Sequence, residues 1–113
     1  MYKQKDIVLL PFPYSDLTGA KQRPAVIISN EKLNKTQDRI CCLITSNILT
    51  TDGLPLSASA LTEGTLPFKS LVKPQRLFTV HEKIIKKKLA TITDSFHEQI
   101  VAEVHKYIQT QTD

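Results

Sequence analysis

The sequence predicts a mainly β fold, a small barrel followed by one C-terminal helix, and three observations lead to it. Short apolar runs rich in Val and Ile recur between turn formers, as in Ile7-Val8-Leu9-Leu10, Ala25-Val26-Ile27-Ile28 and Ile40-Cys41-Cys42-Leu43-Ile44; short runs bounded in this way are strand signals. The period turns helical only in the last segment, where Phe96, Ile100, Val101, Val104 and Ile108 form one stripe. The 113 residues suit a single domain spanning residues 1–113, and five or six short strands with a terminal helix fit a barrel with a packed helix.

Along the chain, the first run is a strand stopped by Pro11 and Pro13. A loop from roughly Pro13 to Arg23 carries the turn formers Asp16, Thr18 and Gly19, then Lys21-Gln22-Arg23-Pro24. Proline pushes the residue before it toward extended geometry, which sets Arg23 rigidly at a strand entrance. Ala25-Val26-Ile27-Ile28 is the second strand. Residues 31–38 are polar and hold one helical turn or a loop. The run from Arg39 to Ser46 is the third strand, and its unbroken apolar stretch implies burial on both faces at the centre of the sheet. Between Leu49 and Gly64 the pattern is weak, with a short strand expected around Leu54–Leu56. Lys69-Ser70-Leu71-Val72 is a strand halted by Pro74, and Arg76-Leu77-Phe78-Thr79-Val80 is another. Ile84-Ile85 and Leu89-Ala90-Thr91-Ile92 follow. The helix runs from about Asp94 to Gln109, capped by Thr93 or Asp94, with Ser95-Phe96-His97-Glu98 matching a capping box.

Composition narrows the function classes. Fifteen Lys+Arg against eleven Asp+Glu give a net charge of +4, a field that favours polyanionic partners. Lys86, Lys87 and Lys88 are consecutive and read either as a solvated strand edge or as a phosphate-attracting rim. The only cysteines, Cys41 and Cys42, point to opposite faces of one strand, which disfavours a mutual disulfide, and two are too few for a structural zinc site. They read as small buried hydrophobes in a reducing compartment. The N-terminal stretch does not read as a signal peptide and no run approaches a membrane span, so the cytoplasm is the expected compartment.

The order of these segments resembles the MazF/PemK-like toxins. Asp6-Ile7-Val8 leading to Pro11-Phe12-Pro13-Tyr14-Ser15-Asp16-Leu17 is similar to their opening. Lys21-Gln22-Arg23-Pro24-Ala25-Val26-Ile27-Ile28-Ser29 is similar to their basic loop and Arg-Pro strand, and Leu43-Ile44-Thr45-Ser46 to their third-strand ending. Ser70-Leu71-Val72, Leu77-Phe78-Thr79-Val80 and Ile85-Lys86-Lys87-Lys88-Leu89 resemble the later strands. The resemblance implies an SH3-like barrel of the CcdB/MazF type and a homodimer. It further implies cleavage of single-stranded RNA with no metal and no cofactor, and a cognate antitoxin that blocks the RNA groove.

Cleavage by a 2′-hydroxyl needs a group to take its proton, one to hold the phosphorane and one to protonate the leaving oxygen. Arg23 suits the second role, because a guanidinium fork matches phosphate oxygens. The resemblance places Thr45 and Ser46 at the scissile phosphate and neighbouring sugar. Some relatives carry an acid just before the Leu-Phe-Thr strand, where this chain has Gln75, which accepts no proton usefully; Asp16 and His81 are the remaining acid or base candidates. His97 and His105 belong to the helix surface. Lys21, Lys69, Ser70, Lys73, Gln75 and Arg76 are expected along the RNA track. Phe12, Tyr14 and Phe68 lie near proline-rich loops and are candidates to stack an unpaired base, with core or dimer-contact packing the alternative for Phe12 and Phe68. The alternatives are a non-catalytic toxin on the same barrel, like the CcdB-like gyrase inhibitors, and an RNA-binding module without cleavage.

Overall fold

The structure is a computed structural model that describes residues 1–12, 21–49 and 52–112. Seven strands form one antiparallel sheet: β1 (Asp6–Phe12), β2 (Lys21–Ile27), β3 (Asp38–Thr45), β4 (Leu54–Leu56), β5 (Leu61–Gly64), β6 (Ser70–His81) and β7 (Lys87–Ile92). One helical turn, α1 (Glu31–Asn34), joins β2 to β3, and the helix α2 (Asp94–Ile108) ends the fold. The strand order is β4-β6-β3-β2-β1-β7-β5. The two edge strands are consecutive in the chain, with only the stretch holding the 3-10 turn Ala58–Ala60 between them. Five residue steps from Leu56 to Leu61 reach at most about 19 Å, whereas a flat sheet would separate its edges by about 29 Å. The sheet therefore curls into a half-barrel.

Alternation along the strands gives the sheet two apolar faces. One face gathers Ile7, Val26, Cys42, Ile44, Val72, Ala90 and Ile92 beneath Phe96, Ile100 and Val104 of α2. The other gathers Val8, Leu10, Phe12, Ala25, Ile27, Cys41, Val80 and Ile85. As expected for the central strand, Cys41 and Cys42 lie on opposite faces, both fully buried and both free thiols. Burial pushes each thiol up to about 12, so neither is a nucleophile at neutral pH.

Thr93 caps α2, its hydroxyl accepting the Phe96 N–H at 3.1 Å; the Ser95 capping box is not used. The helix ends at Ile108, and Gln109 is its C-cap. Of the predicted stripe only Phe96, Ile100 and Val104 are buried, each contributing about 1.5–3 kcal/mol. Val101 and Ile108 instead face outward, at 43% and 68% exposure.

Prolines mark where strand pairing stops. Pro11 does not end β1, which runs on to Phe12; the β1–β7 ladder finishes at Leu9, so Pro11 sits where β1 has β2 alone as neighbour. Pro24 pairs with Leu9, but the β2–β3 ladder begins only at Ala25. Pro55 lies in edge strand β4. Each position spares the ladder an N–H that proline lacks. Pro74 likewise fails to halt β6: Cys42 pairs with Leu77 while Leu43 pairs with Lys73, so Pro74, Gln75 and Arg76 are looped out as a bulge. The expected two strands around Pro74 are thus one.

Candidate functional site

Among the described residues, β2 and β3 are unpaired beyond Ala25 and Leu43, which leaves an open end on the sheet face opposite α2. Arg23 pairs with Leu10, whose side chain belongs to that face. Ala25 opposes Leu43, and Leu43 opposes Lys73. Two residues further along each strand, toward the same end, come Arg23 on β2 and Thr45 on β3, with Thr45 opposing Leu71. Residues two apart share a face, so Arg23, Thr45 and Lys73 all point to one side. Because the β2–β3 ladder stops at Ala25↔Leu43, the strand ends carrying Arg23 and Thr45 are not tied together by backbone hydrogen bonds.

Thr45 Oγ1 accepts the Asn47 N–H at 3.1 Å. That bond fixes the oxygen and leaves the hydroxyl proton to donate outward. Ser46 follows, exposed, one residue past β3. Lys21 is exposed two residues before Arg23 and shares its face.

On the far side of β3, Lys73 is buried, at 6% exposure, and its ammonium donates to Asp52 Oδ1. A buried ammonium requires such a partner. Gln75 Nε2 donates to the other carboxylate oxygen, Asp52 Oδ2, at 2.7 Å. The bond from Lys73 holds the Asp52 carboxyl below the usual carboxylate range, with Lys73 and Arg76 adding their charge. Gln75 Oε1 is buried with no hydrogen-bond partner among the described residues. Gly53 brings Asp52 to this place: a Cβ there would stand 2.9 Å from Leu71 Cβ, so only glycine lets the chain enter β4 so close to β6. Arg76, exposed on the bulge, borders a hollow of about 350 Å³ with Gln75, Leu77 and Phe78.

A model of the family described as PemK-like, MazF-like toxin of type II toxin-antitoxin systems matches residues 3–108. The chain belongs to that family. Curated protein sequences give no match. Among solved structures, an endoribonuclease in complex with its cognate antitoxin from a mycobacterial species is 16% identical, with 100% of both chains covered and a TM-score of 0.68. An endoribonuclease from a mycobacterial species is also 16% identical, covering 99% of this chain and 95% of that one at a TM-score of 0.73. A MazE-MazF crystal structure from Deinococcus radiodurans is 17% identical, covering 97% of each chain at 0.73. At such identities the likeness is one of fold, and it is the MazF-type fold that the sequence predicts.

The remaining candidate residues of this MazF-like toxin are scattered. Phe12 is a correction: only 3% exposed, it packs edge-on against Phe78, ring centroids 4.9 Å apart, and offers no face to a base. Phe68 is 71% exposed and lies with Lys69 along a groove of about 490 Å³ beside β4 and β5. Ser70 is buried and donates to the Phe68 carbonyl at 3.0 Å; it shapes the entry to β6 on the α2 face instead of meeting solvent. His81 is not brought to Arg23. It opposes Asp38 at the other end of β3, seven residues or about 23 Å from Thr45. There its Nδ1 accepts the Lys83 N–H and its Nε2 meets Gln37, so it caps the 3-10 turn Glu82–Ile84. His97 and His105 lie on α2. Tyr14 and Asp16 fall outside the described residues.

Lys88 of the lysine run is ion-paired with Glu63 at 2.6 Å and with Asp6 at 3.5 Å, the solvated-edge reading. Among the described residues no three His, Cys, Asp or Glu side chains converge to hold a metal, and no helix is long and apolar enough to cross a membrane. Asp52 is the residue that sequence reasoning missed. Asp52-Gly53 is a turn signature, but nothing in the pattern ties it to Lys73, 21 positions away.

Proposed function

We propose that this MazF-like toxin cleaves single-stranded RNA by attack of a 2′-hydroxyl on the adjacent phosphorus, without a metal or cofactor. The observation that carries the reading is the shared position of Arg23 and Thr45, on one face at the open end of β2 and β3. Arg23 binds the phosphate and the charge that builds on it, and donors set in advance are usually the largest catalytic term. Thr45 and Ser46 hold the phosphate and its sugar. Lys21, Lys69 and Arg76 supply the exposed cations of the strand-binding track, with Lys73, Gln75 and Ser70 behind them. The solved relatives that are endoribonucleases support the assignment.

Purified protein incubated with mixed-sequence single-stranded RNA in EDTA is expected to yield discrete fragments with 2′,3′-cyclic phosphate and 5′-hydroxyl ends. Intact RNA across varied sequences, from folded protein, would overturn the reading. It would favour a non-catalytic toxin acting through α2, whose C-terminal end exposes Tyr107 and Ile108.

The proposal extends to the protein's partners. A cognate antitoxin silences the chain in the cytoplasm by covering the RNA track, as the solved complex of a relative with its antitoxin suggests. The chain works as a homodimer, since a core of this size gains from a second subunit. Light scattering at micromolar concentration is expected to report about twice the 12.7 kDa chain mass; a monomer there would refute it.

A further inference from the structure

The open end holds a phosphate-binding guanidinium and a donor hydroxyl, but the reaction also needs an acceptor for the 2′ proton. Each described carboxylate and imidazole can be placed. Glu82 is bonded to buried Arg39, Asp94 to Lys5, and Glu63 to Lys88, with Lys88 also facing Asp6. Asp38 and His81 share the remote end of β3, Glu31 sits on α1, and Glu98, Glu103, His97 and His105 are on α2 behind the sheet. Among the described residues only Asp52 is tied to the face that carries Arg23 and Thr45, through its bond to Lys73, which opposes Leu43 two residues before Thr45.

Accordingly, we infer that Asp52 is the proton acceptor of this site, held in place by Lys73 and Gln75. This inference rests on the ribonuclease reading above. The carboxylate is anchored through both oxygens, to Lys73 by one and to Gln75 Nε2 by the other, which leaves a lone pair on each for a substrate hydroxyl. Its side chain is 53% exposed, so an RNA strand can reach it. Gln75 thus acts as a positioning residue. In the step, the 2′-hydroxyl gives its proton to Asp52 as O2′ bonds to phosphorus. The P–O5′ bond breaks, O5′ leaves with that electron pair and takes a proton from solvent, and the Asp52 carboxyl returns its proton to solvent. Two cations act on the carboxylate, Lys73 and Arg76, both on β6. Together they keep Asp52 ionised and ready at neutral pH. A phosphate that draws on the same cations loosens their hold and raises the carboxylate's proton affinity as substrate arrives.

The test is the pH dependence of single-turnover RNA cleavage by the wild type, Asp52→Asn and Asp52→Glu, in EDTA. The wild-type rate is expected to fall on the acid side with unit slope. Asp52→Asn is expected to lose that limb and at least about 100-fold in rate at neutral pH, the usual contribution of a general base. Asp52→Glu is expected to keep the limb and recover most of the rate. An Asn variant within about threefold of wild type, or one that retains the acid limb, overturns the role of Asp52. So does a wild-type profile with no acid limb across the carboxylate range of roughly pH 2–5, an arm that needs no variant. A wild type that cleaves no RNA overturns the ribonuclease reading itself, a separate outcome.

Discussion

Replacing Arg39 by methionine is expected to remove about 3–5 kcal/mol of stability, chiefly by stripping three backbone carbonyls of their donor. Arg39 is one of only three arginines, and its side chain is fully buried. Its Nε donates to the Tyr2 carbonyl at 3.0 Å, and Nη1 to the Thr36 and Asp38 carbonyls at 2.8 Å each. Nη2 meets Glu82 Oε2 at 2.9 Å. One guanidinium therefore ties the N-terminal segment, the turn after α1 and the 3-10 turn after β6 to the start of β3. Methionine fills part of the volume but leaves three carbonyls with a lost donor, each costing about 1–3 kcal/mol if water cannot replace it. Against a typical total of 5–15 kcal/mol, the loss should move a urea midpoint down by one to several molar. Glu82 is one-third exposed, so Glu82→Gln, which keeps an acceptor, is expected to cost far less. Equal midpoints for Arg39→Met and wild type, at matched protein concentration, would show that solvent satisfies these carbonyls. The change lies at the end of β3 remote from Thr45, so RNA cleavage by the folded fraction should persist.

What the sequence made legible follows the physics of each segment. The unbroken run in β3 could only be a strand buried on both faces, and Cys41 and Cys42 divide between the two faces accordingly. The stripe in α2 announced a helix, although period alone did not say that Val101 and Ile108 would lie outside the contact with the sheet. Strand β5, Leu-Thr-Glu-Gly, gave no signal because an edge strand with three exposed residues carries no apolar alternation. Pro74 read as a stop because the rule against proline in strands holds for paired positions, and a bulge exempts it. Phe12 read equally as a stacking platform or as core, and only the packing of Phe78 decides. Arg23 and Thr45 were legible as candidates because each stands beside a local marker, a proline for one and the polar end of an apolar run for the other, and the resemblance supplied the role proposed for Thr45. Asp52 was not. Its partners Lys73 and Gln75 depend on how β4 is laid against a bulged β6, a contact between residues far apart in sequence.

Arg23→Ala is expected to lower RNA cleavage by about 100- to 1000-fold, the effect of removing one donor aimed at developing negative charge. The loss should fall on kcat more than on KM, because the phosphorane carries more charge than the bound phosphate and Arg23 gains most of its interaction there. Stability should be nearly unchanged: Arg23 is half-buried, before the paired part of the β2–β3 ladder, and outside both apolar clusters. Arg23→Lys separates charge from geometry. It keeps the cation but loses the planar fork, so it should recover only part of the rate if two phosphate oxygens are held at once. Lys21→Ala and Lys69→Ala serve as contrast, since exposed lysines act through the field of the backbone. Each should weaken RNA binding with kcat intact and reduce the salt dependence of binding by about 0.7 in slope, the single-strand value per phosphate contact. Should Arg23→Ala behave like those two lysine variants, with KM raised and kcat preserved, Arg23 would be a binding residue and the phosphorane would need another donor. An Arg23→Ala enzyme within about threefold of wild type in both parameters would remove Arg23 from the site altogether.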